Sequence, residues 1–263
     1  MSLRSSRPKR VVILAGGMGT RLSEETYIRP KPMVEIGERP IIWHIMSVYA
    51  AFGLTDFIIC AGYKGHVLKE YFANYHLLNS DVTFDLRRNT MTVHQVAAEP
   101  WRVTVVDTGI HTQTGGRVRR IRPYLEGEDF CLTYGDGLAN VNINALLDCH
   151  YQAGRLATIT AVRPPVRFGA IEGCGDRVVS FREKHVGDIG WINGGFFVMS
   201  HDVLDYIKDD SITLEIDCLP ALARDSQLTA YYHHEFWLGM DTLRDRHQLE
   251  ELWASNRAPW KTW

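Results

Sequence analysis

Val11-Val12-Ile13-Leu14-Ala15-Gly16-Gly17-Met18-Gly19-Thr20-Arg21-Leu22 passes from an unbroken apolar run straight into glycines and an arginine. A short aliphatic run ended by glycine is the pattern of a strand buried on both faces, as in a parallel sheet. The next element supports that reading. After Pro40, well placed at a first helical position, Ile41, Ile42, Ile45, Val48, Tyr49 and Phe52 recur at helical spacing until Gly53. Phe57-Ile58-Ile59-Cys60 then reads as a second strand, and residues 64–75 as a helix with Val67, Leu68, Tyr71 and Phe72 on one side. Strand–helix–strand alternation implies parallel strands joined by helical crossovers, so an α/β, doubly wound sheet is expected.

Farther along, the period changes to two: Val82, Phe84 and Leu86, then Met91 and Val93, and later Val103 and Val105. This predicts an inserted antiparallel β-hairpin followed by a core strand. Phe130-Cys131-Leu132-Thr133-Tyr134 reads as another central strand and runs into Gly135-Asp136-Gly137, which sets a carboxylate at the strand end where open α/β sheets bind ligands. Strands are expected at 156–162, 177–182, 192–199 and 228–233, and a last helix at about 242–254.

Hydrophobic residues make up 45% of the 263 and charged residues 23%, and no stretch reads as a linker, so one domain is expected over residues 10–263. Residues 1–9 read as a disordered basic arm. A net charge of −2 gives no general basic field, which argues against nucleic acid and toward small molecules held by a local site. The five cysteines, Cys60, Cys131, Cys149, Cys174 and Cys218, have no paired or zinc spacing and read as reduced structural thiols. No run approaches the roughly 20 apolar residues that span a bilayer, so no membrane partner and a cytoplasmic enzyme are expected.

The glycine loop is followed by Arg29-Pro30-Lys31-Pro32. Glycines let backbone N–H groups approach a phosphate in a concave nest, and Arg21 and Lys31 can neutralise it. The spacing matches neither the P-loop nor the dinucleotide fingerprint. On the residues alone an ordinary glycine-rich turn stays open. Asp136 and Asp241 suit a hard cation such as Mg²⁺, which takes one or two carboxylates with substrate phosphates completing its shell. A turn-forming Asp136 and a helix-capping Asp241 are the bland alternatives. His185, His233 and His234 read as loop or surface groups.

The pair of motifs, Gly16-Gly17-Met18-Gly19-Thr20-Arg21-Leu22 with Arg29-Pro30-Lys31-Pro32, resembles the signature of the sugar-phosphate nucleotidyltransferases. The likeness runs from about residue 10 through Lys31-Pro32-Met33-Val34-Glu35-Ile36-Gly37, Ala73-Asn74-Tyr75, Glu99-Pro100-Trp101, Thr114-Gly115-Gly116-Arg117, Trp191-Ile192-Asn193-Gly194-Gly195 and Ala258-Pro259-Trp260-Lys261. It implies a single Rossmann-like domain, with a mixed, mostly parallel sheet flanked by helices. It implies CTP and a sugar 1-phosphate, here glucose 1-phosphate, as partners, with Mg²⁺ as cofactor. Leu14, Ala15, Gly16, Gly17, Met18, Gly19, Thr20 and Arg21 would cradle the nucleotide, with Gly135 beside them. Arg21 and Lys31 would hold the phosphates, and Thr112, Gly115, Gly116 and Arg117 would lie against base and ribose. Asp136 and Asp241 would bind the metal. Gly169, Glu183, Lys184, Asn193, Gly194 and Glu215 would bind the sugar phosphate, Lys184 orienting the nucleophile. The family also implies a homo-oligomer, a trimer or hexamer, through residues around Tyr75 to Trp101. Departures from its pattern, His185, Leu238-Gly239, Cys218 and Pro220, all fall on the sugar side. Another sugar 1-phosphate, UTP or dTTP in place of CTP, or a catalytically silent relative are the other readings.

Overall fold

The computed structural model of the protein describes residues 7–19, 22–164, 170–174, 177–182 and 190–263. Its centre is a seven-stranded sheet. The strands lie in the spatial order Leu228–Tyr232, Ala157–Val162, Ile192–Met199, Phe130–Tyr134, Arg10–Ala15, Asp56–Ala61 and Arg102–Asp107. Neighbours run parallel except Ile192–Met199, which is antiparallel to both of its partners.

Both faces of this sheet are covered, which explains the apolar runs. In the first strand every residue is buried, Val11, Ile13 and Ala15 packing into one core and Val12 and Leu14 into the other. Asp56–Ala61 alternates likewise, Phe57 and Ile59 against Ile58 and Cys60. The helix Ile41–Ala50 starts after Pro40 as expected, and Leu54 caps its far end with an N–H bond to the Tyr49 carbonyl. Gly65–Leu78 forms the second helix and is one turn longer than the sequence pattern reached. The hairpin Ser80–Asp85 with Thr90–Val96 stands apart from the main sheet.

The basic arm differs from its expectation where it is described. Arg7 bonds Asn144 and Asp148, Lys9 bonds Glu128, and Pro8 is buried, so the chain is seated from residue 7 onward; residues 1–6 lie outside the described residues. Cys60, Cys131, Cys149 and Cys218 are free thiols, and burial pushes Cys60, Cys131 and Cys218 up to about 12. The side chain of Cys174 lies outside the described residues. Among the described residues no helix is long and apolar enough to cross a membrane.

Candidate active site

The strand order reverses beside Arg10–Ala15, because the chain goes on to Asp56–Ala61 on one side and reaches Phe130–Tyr134 on the other. Connections leaving the carboxyl ends of these strands diverge and leave a crevice. A cleft of about 780 Å³ occupies it, walled by Leu14 to Gly19, Lys31, Thr112, Arg117, Gly135, Asp136, Asn193, Gly194, Glu215, Trp237 and Asp241. Residues from positions 14 to 241 thus converge on one edge of one sheet.

Asp136 and Asp241 are brought together by backbone. Asp136 follows the Phe130–Tyr134 strand, and Gly137–Ala139 pairs with Trp237–Gly239, the segment just before Asp241. The Asp136 carbonyl accepts from Met240 N–H at 2.8 Å. Asp241 is not the helix cap that it resembles in sequence. Thr242 caps the helix Leu243–Ala254 in a reciprocal box with Asp245, whose carboxylate also accepts from Asp241 N–H at 3.1 Å. The cap therefore fixes the backbone from which the Asp241 carboxylate reaches the cleft.

Lys31 lies between the two carboxylates, its Nζ 2.6 Å from Asp136 Oδ2 and 2.8 Å from Asp241 Oδ1. Its side chain is 9% exposed. Burial opposes the ammonium charge, but Asp136 and then Asp241 outweigh it and raise the Lys31 pKa. Two carboxylates converging on one cation show that this point accepts positive charge. A pair of carboxylates at one point suits a hard divalent ion that completes its shell with phosphate and water. The residues fit such an ion.

Arg117 is buried and directs its donors to the protein. Its Nη1 bonds Thr108 Oγ1 and the Gly109 carbonyl, both at 2.7 Å, and its Nη2 bonds the Gly16 carbonyl at 3.1 Å. It borders the cleft, where it was expected against base and ribose, and it also clips the glycine loop to the segment after Arg102–Asp107. Gly115 and Gly116, expected beside it, stand behind the cleft wall rather than on it. A Cβ on Gly115 would meet the Ile212 carbonyl at 2.7 Å and one on Gly116 the Asp210 Cα at 2.6 Å, so both let the helix Thr114–Arg120 lie against residues 210–212. Thr112 does line the cleft.

Asn193, Gly194 and Glu215 reach the same cleft as the carboxylates. Thr20, Arg21, Gly169, Glu183, Lys184 and His185 lie outside the described residues. His233 is buried with its ring on the Phe236 carbonyl, and His234 packs on Trp191; neither lines the cleft. Of the departures, Leu238 is buried in the core, Cys218 is buried, and Pro220 sits in the first turn of Leu219–Arg224, while Gly239 borders the cleft. Sequence reasoning missed Tyr134, Thr114 and Trp237. Tyr134 read only as a strand residue, although a tyrosine two places before a strand-end aspartate was a visible signal. Trp237, whose Nε1 donates to the Gly194 carbonyl at 2.7 Å, had none.

The nucleotidyl transferase family model matches residues 10–254. The glucose-1-phosphate cytidylyltransferase of Salmonella typhimurium is 54% identical over 255 residues, covering 97% of this chain and 99% of that protein. The probable glucose-1-phosphate cytidylyltransferase of Bacillus subtilis is 40% identical over 256 residues, 97% of this chain and all of that one (100%). Among solved structures, HddC from Yersinia pseudotuberculosis shares the fold, with a TM-score of 0.66, 21% identity and 93% and 99% of the two chains covered.

Proposed function

The chain belongs to the nucleotidyltransferase family, and from that premise we infer that it is a glucose-1-phosphate cytidylyltransferase, converting CTP and α-D-glucose 1-phosphate to CDP-glucose and pyrophosphate. What carries the chemistry is the meeting of Asp136, Asp241 and Lys31 under the glycine loop, at 2.6 and 2.8 Å. The base and sugar rest on the two relatives, which match nearly end to end.

An oxygen of the sugar phosphate attacks the α-phosphorus of CTP in line, forming one P–O bond as the bond to the β-phosphate bridging oxygen breaks. The nucleophile is already an anion at pH 7, so no general base is required. Positioning and charge neutralisation supply the rate. Residues 14–21 hold the nucleotide, Arg21 and Lys31 receive charge on the departing pyrophosphate, Thr112 borders the base and ribose, and Arg117 fixes the loop. Asn193, Gly194 and Glu215, with Gly169, Glu183 and Lys184, hold the sugar phosphate. Asp136 and Asp241 would hold a divalent ion, Mg²⁺, which when bound supplies charge neutralisation to the phosphate oxygens.

Pyrophosphate release with Mg²⁺, glucose 1-phosphate and each of CTP, UTP, dTTP and ATP tests this reading. Strong release with CTP alone is expected. Release with another triphosphate or only with another sugar 1-phosphate would change the substrates, and none with any combination would leave a silent nucleotide-sugar-binding relative.

We further propose a homo-oligomer, trimer or hexamer, and residues 10–263 as one domain in a cytoplasmic enzyme. Tyr75 and Trp101 do not support the full stretch expected at the interface, because they stack on each other and pack inward beside Trp43. The exposed apolar surface is narrower: Leu78, Phe84, Leu86 and Met91, on and next to the hairpin. Phe84→Glu should reduce the mass measured by light scattering to that of a smaller species; an unchanged mass would move the interface elsewhere.

A further inference from the structure

We propose that Tyr134 is a positioning residue for the sugar 1-phosphate, holding Asn193 and Glu215 in a single proton arrangement that reads the sugar hydroxyls. The proposal rests on the substrate reading given above. It follows from a count of protons along one hydrogen-bonded chain.

Glu215 accepts from Thr114 Oγ1 at 2.7 Å on one carboxylate oxygen, and from the Tyr134 hydroxyl on the other. A phenol carries one proton. With that proton given to Glu215, Asn193 Nδ2, 3.1 Å from the phenol oxygen, must donate to it. Asn193 Oδ1 is then turned toward Gly195 N–H at 2.8 Å, which needs an acceptor there, so two independent contacts fix the same amide orientation. At the other end Leu214 N–H donates to Thr114 Oγ1 at 2.9 Å, which leaves the threonine proton for Glu215. No link in the chain conflicts with another.

The tyrosine is built to keep this role. Its ring packs edge-on against Phe197, with centroids 5.9 Å apart. A Cβ on Gly195, whose φ is +82°, would lie 2.5 Å from ring Cδ2, so only glycine admits the ring there. Glu215 itself lies on the π-helical turn Leu214–Cys218, a local irregularity of the kind found at functional sites.

One N–H of Asn193 is used by the phenol. The other has no partner among the described residues, and Asn193 and Glu215 both border the cleft. The wall therefore offers a hydroxyl-bearing ligand one amide donor beside carboxylate acceptors. Loss of the phenol oxygen removes one of the two contacts that oppose rotation of the carboxamide, and a flipped amide exchanges donor for acceptor. Sugars that differ only in the direction of a hydroxyl would then be told apart less well.

Tyr134→Phe in the full chain, assayed with CTP and the 1-phosphates of glucose, galactose and mannose, tests this. The expected result is a KM for glucose 1-phosphate raised about ten-fold or more, a KM for CTP within about two-fold, and a comparable fall in epimer discrimination. The melting temperature should stay within about 3 °C of wild type. Combining it with Glu215→Gln should cost no more than the worse single change, because both break one chain. Unchanged kinetics and epimer ratio, or an equal rise in both KM values, would overturn the proposal. Wild-type protein that fails to use glucose 1-phosphate would overturn the substrate reading instead. In that case the Asn193 side-chain proton donated to the phenol reports directly by NMR, protected from exchange in wild type and unprotected in Tyr134→Phe; identical exchange in the two would refute the positioning role.

Discussion

At the scale of single residues, the pairing of Lys31 with two aspartates makes one ammonium answer for two negative charges. Replacing it with methionine leaves both carboxylates in a partly buried site without that partner. Lys31→Met should cost about 2 kcal/mol of stability in chelator, discounted from a buried pair because the aspartates are about a third exposed. Added Mg²⁺ should restore more of the melting temperature to this variant than it adds to wild type; an equal increment in both would mean that ion and lysine do not share a position. Asp241→Asn should lower kcat by about 10²–10³-fold with little change in melting temperature, and a fully active variant would remove Asp241 from the metal site. Lys31 and the carboxylates were named from the family resemblance, since on the residues alone Asp136 reads equally as a turn former and Asp241 as a helix cap. Arg117 was named for the site, but its bonds to Gly16, Thr108 and Gly109 were not legible, because those acceptors come together only when distant strand ends meet.

At the scale of elements, the helix Thr114–Arg120 brings Thr114 and Arg117 to the cleft by lying close to residues 210–212. Gly116→Ala inserts a methyl 2.6 Å from the Asp210 Cα, which is backbone and cannot swing aside. About 1–3 kcal/mol of destabilisation is expected from denaturant unfolding, together with a higher KM for CTP, since the same helix carries Arg117 to the glycine loop. A variant as stable as wild type would show that the contact relaxes freely. The strands and helices were largely readable from periodicity: Ile41–Ala50 and Leu243–Ala254 fall within a few residues of their expected spans. What periodicity could not supply was capping chemistry. Asp241 and Thr242 both suit a cap, and only the bond from Asp245 N–H to Thr242 Oγ1 decides between them.

At the scale of the molecule, the far end of the chain closes over the first half. Trp260 is fully buried, stacks on Phe236, and donates from Nε1 to His44 Nδ1 at 3.4 Å, while His44 Nε2 bonds the Ile36 carbonyl at 2.8 Å. This arrangement needs a neutral imidazole with its proton on Nε2. Burial lowers the His44 pKa to about 4, against 6.5 for an exposed ring. The unfolded chain therefore takes the proton first: the stabilisation is whole above pH 6.5 and is lost as pH falls toward 4, up to about 3 kcal/mol. Unfolding curves at pH 7 and pH 4.5 should show this loss, and it should shrink in His44→Gln; equal loss in both proteins would assign the acid sensitivity elsewhere. The order of the seven strands was not legible, because buried strands present similar apolar faces and pairing is settled by long-range packing. The strand Ile192–Met199 was expected with these bounds, and what the sequence hid was its reversed direction; its first residue pairs with Val162. The chain thus leaves the sheet after Val162 and returns at Ile192 on the same rim, and of the described residues between them the strands Ala170–Cys174 and Arg177–Arg182 pair with each other in a sheet of their own. A hairpin bonded to itself takes no place in the order of the seven strands, so its sequence can drift without forcing the main sheet to pair anew.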